Sequence, residues 1–487
     1  MTRFFAAALC LYALSCGGPS RPSAFERLGP CEPGEAPPGA RCGDYEVFED
    51  REAGAGRKIA LRILLLPALA NDPRPDPVFF LAGGPGQSAT KLADGVEYLL
   101  EPVRRSRDVV LVDQRGTGQS GALECDLSEG MQELDFTSPL PPEKVQACLD
   151  SYDADPRLYT TPIAMDDLDE VRDWLGYDAI NLYGGSYGTR AALVYLRRHE
   201  ANVRSVVIDG VAPVEMTLPL HFAQDAQRAL DTLIEDCEAA APCHERFPEL
   251  RRQTTDLFAE LEQAPVRATF VHPRTGERIE RTITREAVGM ILTGMLYSPW
   301  LSSLGPLAIE RAHAGDFQML MPLAIANDEV GEQMSQGMFY SVMCSEDWPN
   351  ISAEARREET RNTFLGEALF ESRWKPCENW PRGAVPENYR EPVRSDKPVL
   401  ILSGELDPVT PPRWGELVQQ SLPNARHVVA QGVAHGVSPY GCVPRLLQEF
   451  FDSADASTLD VSCVDSTRRP DFMLTPVATA PPEEDAQ

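Results

Sequence analysis

Beyond its first fourteen residues the chain has no apolar run close to the roughly 20 residues that a membrane-spanning helix needs, so no helical crossing of a bilayer is expected of the mature protein. It contains no CxxC pair, no HExxH and no cysteine-histidine spacing suited to zinc. Metal catalysis therefore has no basis in the sequence, and neither a metal nor another cofactor is expected. Positive charge is scarce: 45 basic residues stand against 74 acidic ones, a net charge of -29. Such a chain repels nucleic acid and anionic membrane surfaces, so neither is expected as a partner. Histidine occurs at seven positions, which confines the search for a general base to a short set. No internal repeat is found.

What the sequence does have is 487 residues at 43% hydrophobic content, enough for one large core carrying an insertion, or for two domains. Met1-Thr2-Arg3 is followed by an apolar stretch over 4–14, too short to span a bilayer and of the length of a secretory signal. Ala13-Leu14-Ser15-Cys16 then resembles a bacterial lipobox, with Cys16 as the lipidated residue and Ala13 where such signals usually carry leucine. Residues 1–16 thus read as an export signal, cut before Cys16 where that residue takes the lipid, leaving an envelope lipoprotein or a secreted protein whose only membrane contact is that lipid. Setting aside Cys10 and Cys16 leaves ten cysteines, an even number that argues for disulfides in an exported chain. They fall as neighbours, Cys31 with Cys42, Cys125 with Cys148, Cys237 with Cys243, Cys344 with Cys377 and Cys442 with Cys463. Neighbour pairing is the expectation, although ten cysteines admit many other connectivities.

Residues 17–40 are rich in Pro, Gly and Ser and read as a flexible tether. After it, apolar runs over 59–66, 78–81, 108–113, 179–183 and 203–209 have the length and content of buried strands, with amphipathic helices expected over 166–175 and 190–198. This alternation implies a mostly parallel sheet flanked by helices, an α/β fold. Over 215–394 the alternation stops and the pattern turns helical, as in 222–238 and 250–261. That stretch reads as an inserted, mainly helical lid between a first core segment, 41–214, and a second, 395–466. The second holds strands over 398–403 and 425–430 and helices over 412–422 and 443–451; residues 467–487 read as a disordered tail.

The stretch Gly184-Gly185-Ser186-Tyr187-Gly188 lies between an expected strand and an expected helix. That is the setting of a nucleophile elbow, in which glycines let two backbones pass closely and leave the serine hydroxyl exposed on a tight turn. A serine hydroxyl needs a base and an orienting carboxylate. His435, in Gly432-Val433-Ala434-His435-Gly436, follows the penultimate expected strand and precedes the last helix. Asp407, in Gly404-Glu405-Leu406-Asp407-Pro408, directly follows another strand, with Glu405 as the alternative acid. The order Ser, acid, His is the one this arrangement uses. Gly83-Gly84-Pro85-Gly86, at the end of the 78–81 strand, has side-chain-free backbone that can turn N–H groups into a site.

The set AGGPG at 82–86, DQRGTGQS at 113–120, GGSYG at 184–188, GELDPVTP at 404–411 and GVAHG at 432–436 resembles the α/β-hydrolase serine peptidases of the prolyl iminopeptidase and tripeptidyl aminopeptidase family. The resemblance implies Ser186 as nucleophile, Asp407 and His435 as its partners, and the N–H groups of Gly84 and Tyr187 as the oxyanion hole. Ala82 stands where prolyl iminopeptidases usually have histidine, and Tyr187 where many have tryptophan; both departures lie on the tripeptidyl aminopeptidase side. The expected activity is release of residues from peptide N-termini, the alternative being hydrolysis of carboxylic esters with the same triad. Oligomeric state stays open. Related enzymes keep acids in the lid for the substrate ammonium, and Glu346 and Asp347, beside Cys344, are the expected pair here.

Overall fold

The computed structural model describes residues 23–124, 141–331, 334–367, 370 and 374–475. Cys16, Cys125 and the signal segment lie outside them. Eleven strands are present among the described residues: β1 Gly29–Pro30, β2 Arg41–Phe48, β3 Lys58–Leu66, β4 Val78–Leu81, β5 Val109–Val112, β6 Ile180–Gly185, β7 Val203–Asp209, β8 Val266–Val271, β9 Arg278–Ile283, β10 Val399–Gly404 and β11 Ala425–Ala430. Nine of them form one sheet in the order β1-β2-β3-β5-β4-β6-β7-β10-β11. From β5 to β11 every neighbouring pair is parallel, whereas β1, β2 and β3 run antiparallel along one edge.

The central strands are apolar without interruption because both faces are covered. Side chains alternate between the faces. Ile63, Phe79, Leu81, Val110, Leu182 and Ile208 meet the helices Thr161–Leu175 and Tyr187–His199. Leu64, Phe80, Leu111, Tyr183, Val207 and Leu402 meet the helices Ala93–Leu99 and Val443–Ser453 on the other face. The helix before the elbow starts at Thr161, five residues earlier than expected, with Pro162 in its first turn, and ends at Gly176 in the left-handed region at φ 88°. Strand β2 is absent from the sequence expectation, because a strand near the sheet edge with one exposed face carries only Cys42 and Val47 as buried apolar residues.

Between β7 and β10 the chain builds a second core. Helices Phe222–Ala239, Leu250–Gln263, Arg285–Leu296 and Gly305–His313 enclose Leu233, Leu257, Ile291, Leu292 and Leu307. The hairpin β8–β9 also lies here, unexpected in a segment read as helical: four of its twelve strand residues are charged, and only Phe270 and Ile283 are buried. The helix Gln336–Glu346 joins this part to the sheet, packing with Ala212, Met216, Trp374 and Trp414.

Two expectations about the chain ends are corrected. The described part of the tether, 23–40, is docked: Ser23 caps a short helix reciprocally with Glu26; Ala24 and Leu28 enter the sheet core, and Cys31 is bonded to Cys42. The described part of the tail, 467–475, is docked: Arg469 reaches Asp236 at 2.8 Å, and Phe472, Met473 and Leu474 pack on the second core. Composition hid both, since a few apolar anchors suffice to dock a Pro-rich segment.

Disulfides join Cys31–Cys42, Cys237–Cys243, Cys344–Cys377 and Cys442–Cys463. Cys148 is disulfide-bonded as well. Denatured without reductant, the mature chain is expected to expose no free thiol, and reduction to lower its melting temperature, since removing a native disulfide costs about 2–5 kcal/mol in small exported domains. Titration of several thiols under those conditions would overturn the pairing.

Candidate active site

Ser186 sits between β6 and the helix Tyr187–His199 with φ 54° and ψ -124°, a conformation rarely adopted by a residue with a side chain. Close backbone approach makes it possible. A Cβ on Gly184 would lie 2.3 Å from the Gly188 carbonyl oxygen, and one on Gly188 would lie 2.1 Å from that of Leu81. The Ser186 N–H donates to the carbonyl of Asp209, 2.9 Å away at the end of β7. The loop after β4 comes equally near, because a Cβ on Gly83 would be 3.2 Å from the Ser186 Cβ.

The Asp407 carboxylate is wholly buried and accepts from the Val409 and Thr410 N–H groups at 2.9 and 2.8 Å and from Thr410 Oγ1 at 2.7 Å. Its Oδ2 also lies 2.8 Å from His435 Nδ1. The His435 side chain is 15% exposed, so the ring is held at Nδ1 while its edge reaches the site. Glu405, the alternative acid, is occupied elsewhere: it accepts from the Gly432 N–H at 2.9 Å and so braces the histidine loop. Burial disfavours the imidazolium of His435, but the Asp407 charge and hydrogen bond, with Asp209 beyond, outweigh it and raise its pKa. Asp407 is pushed up by burial and pulled further down by His435 and its Thr410 donors, and remains below the usual range. Each partner thus favours the ion pair that forms when His435 takes a proton.

Four groups missed in the sequence support this arrangement. The Asp209 carboxylate accepts from the Val437 N–H at 2.8 and 3.0 Å and from the Ser438 N–H at 2.8 Å, which fixes the loop directly after His435. Arg228, from the second core, donates to the carbonyls of Glu405 and Asp407 at 3.0 and 2.6 Å. In DQRGTGQS, Asp113 accepts from Ser88 Oγ, the Thr90 N–H and Thr90 Oγ1 at 2.8 to 2.9 Å, anchoring the loop that follows Gly86. Arg115 forms a buried pair with Asp167 at 2.6 Å. That motif is therefore scaffolding; its strand-end acid and glycine turn were the signals, but its partners are distant in sequence.

Glu346 and Asp347 are 1% and 0% exposed. Glu346 accepts from the Thr161 N–H at 2.6 Å, Thr161 Oγ1 at 2.9 Å and the Tyr389 hydroxyl. Asp347 pairs with buried Arg190 at 2.7 Å and accepts from the Leu218 N–H at 3.0 Å. Tyr187, its hydroxyl 2.6 Å from Thr161 Oγ1, completes the cluster. A buried carboxylate already held by the protein is not presented to a substrate ammonium. Contrary to expectation, the geometry gives this pair a supporting role beneath Tyr187 and the start of the elbow helix.

A family model described as alpha/beta hydrolase fold matches residues 76–264, and one described as TAP-like protein matches 361–463. The serine protease Hip1 of Mycobacterium tuberculosis is 25% identical over 420 residues, 78% of each chain. The tripeptidyl aminopeptidase of Streptomyces coelicolor is 23% identical over 474 residues, 88% of this chain and 84% of that one. YuaR of Escherichia coli is 24% identical over 371 residues, 72% of each. The chain has the α/β-hydrolase fold and is similar to serine peptidases of that fold. In this α/β-hydrolase the elbow, the acid and the histidine follow β6, β10 and β11 in turn.

The Glu346 cluster carries a pH signature. Burial, opposed by Tyr389, Arg190 and Thr161, raises its pKa from 4.5 to about 7. The folded state then holds a proton that the unfolded chain has already released. Its contribution is full below the unfolded value and is lost as pH rises through about 7, on the order of 3 kcal/mol if the whole shift is expressed. Melting temperatures recorded from pH 5 to pH 8 should fall less steeply for Glu346→Gln than for the unaltered hydrolase, and parallel slopes would overturn the assignment.

Proposed function

We propose that this hydrolase is an exported serine exopeptidase that releases amino acids or short peptides from peptide N-termini. The observation that carries the reading is the buried Asp407 carboxylate 2.8 Å from His435 Nδ1, with the loop after His435 tied through Asp209 to the turn of a strained Ser186. In this reading the Ser186 Oγ attacks the scissile carbonyl while His435 Nε2 takes its proton. The N–H groups of Gly84 and Tyr187 receive the negative oxygen of the tetrahedral intermediate. His435 then protonates the departing amine, and water, activated by the same nitrogen, hydrolyses the acyl-enzyme.

The restriction to chain ends is supported by the second core acting as a lid. It touches the base loop, where the His435 N–H donates to the Tyr297 carbonyl at 3.2 Å, and the glycine loop, where the Ser335 N–H donates to the Gly86 carbonyl at 2.9 Å. In this reading such contacts obstruct a polypeptide passing through in both directions and leave room for a terminus. The curated relatives named for serine protease and tripeptidyl aminopeptidase activity agree with peptide substrates. Export is supported by the N-terminal signal pattern and the disulfides, and Cys16 is the proposed site of lipid attachment.

Ser186→Ala should fold normally, lose labelling by a fluorophosphonate probe and lose about a thousandfold or more in turnover. Near-normal turnover would sink the triad. Equal cleavage of free and N-acetylated peptides by the unaltered enzyme would sink the exopeptidase reading alone.

A further inference from the structure

The catalytic histidine does not face only its triad partners. The turn that follows the lid helix Arg285–Leu296 places Tyr297 with its ring centroid 5.0 Å from that of His435, in an edge-on contact at 66°. Three residues on, Trp300 is 68% exposed, and Tyr297 itself is 38% exposed. An indole so open to water loses hydrophobic stabilisation and contributes nothing to the core.

The turn carrying these rings is built and tied down. The His435 N–H donates to the Tyr297 carbonyl at 3.2 Å. Ser303 Oγ donates to the Trp300 carbonyl at 2.7 Å. From the C-terminal segment, Arg469 donates to Ser302 Oγ at 2.9 Å, and the Met473 N–H donates to the Ser303 carbonyl at 3.0 Å. The same segment lies against the histidine loop, since a Cβ on Gly432 would fall 2.1 Å from the Arg469 nitrogen. The docked tail therefore fixes the aromatic turn and the catalytic base in one frame.

Chemistry says what such a surface meets. In acyl transfer the imidazole delivers its proton to the leaving group, so the leaving residue must lie over the histidine, away from the oxyanion donors. We infer that Tyr297 and Trp300 form a leaving-group subsite, which takes the residues just downstream of the scissile bond and favours an aromatic or bulky apolar side chain there. The inference rests on the peptidase reading for the identity of the substrate. It rests on the Tyr297–His435 contact alone for the side of the site that the subsite occupies.

The test holds the acyl portion of a peptide constant and varies the first leaving residue, Phe against Gly, comparing kcat/KM. The unaltered enzyme should prefer Phe by about tenfold, the order that one aromatic contact supplies. Trp300→Ala should bring that ratio close to one, and Trp300→Phe should restore most of it. A ratio near one in the unaltered enzyme, or one that Trp300→Ala leaves in place, overturns the subsite. The outcome is separable from the function itself. Should N-acetylated and free peptides be cleaved equally, the exopeptidase reading falls while the Phe to Gly ratio still decides the subsite. Should only esters be hydrolysed, the ratio for benzyl against methyl esters of one acid decides it in the same way.

Discussion

The site depends on one residue at the end of a central strand. Asp209 offers its backbone carbonyl to the N–H of Ser186 and its carboxylate to the N–H groups of Val437 and Ser438. The nucleophile turn and the base loop come from opposite sides of β7, one from β6 and the other from beyond β11. A buried carboxylate is expensive unless its oxygens are satisfied, and here three backbone contacts and the Tyr183 hydroxyl satisfy them. Burial raises the Asp209 pKa, while the Ser438 hydroxyl, the Val437 and Ser438 N–H groups and His435 oppose the rise. Displacing the charge would therefore release the base loop rather than merely weaken a contact.

That dependence explains which parts of the site were legible in the sequence. Ser186, Asp407 and His435 are readable because the chemistry of each is local: a glycine turn, a strand end followed by proline, a glycine-bounded loop. The strands that position them are readable because burial on both faces writes an unbroken apolar run. Asp209 reads only as the last residue of a strand, since its partners lie 228 and 229 positions away. Glu405 and Asp407 are two residues apart with similar surroundings in sequence, and only the direction of each side chain distinguishes a brace for Gly432 from a partner for His435.

Glu346 and Asp347 show the same limit from the other side. An acidic pair beside a cysteine reads as exposed, because acids are seldom fully buried. The structure buries both, and what makes burial tolerable comes from elsewhere in the chain: Arg190 one turn into the elbow helix, Thr161 at the start of another helix, and Tyr389. Arg190 also donates to the carbonyls of Pro213 and Met216 at 3.1 and 2.7 Å, so its pairing with Asp347 ties the helix after Ser186 to the segment leading into the lid. A buried ion pair of this kind is weak evidence for stability, but breaking it would leave a charge without a partner directly behind Tyr187.

The two halves of the molecule thus carry different parts of the function. Groups that orient reacting atoms refer to the sheet: Asp209 for the elbow and the base loop, Asp113 for the glycine loop, Glu405 for the approach to His435. Groups from the segment between β7 and β10 lie against these loops: Tyr297 beside the His435 imidazole, Ser335 against Gly86, Arg228 on the loop of Asp407. The sheet is packed on both faces and tolerates little movement, whereas Trp300 stands in water on a turn held by a few hydrogen bonds. On the proposed reading, changes in the segment between β7 and β10 alter what the site accepts while Ser186, Asp407 and His435 stay in register. The docked C-terminal segment makes the arrangement coherent, because it touches both the lid turn and the histidine loop and sets one against the other.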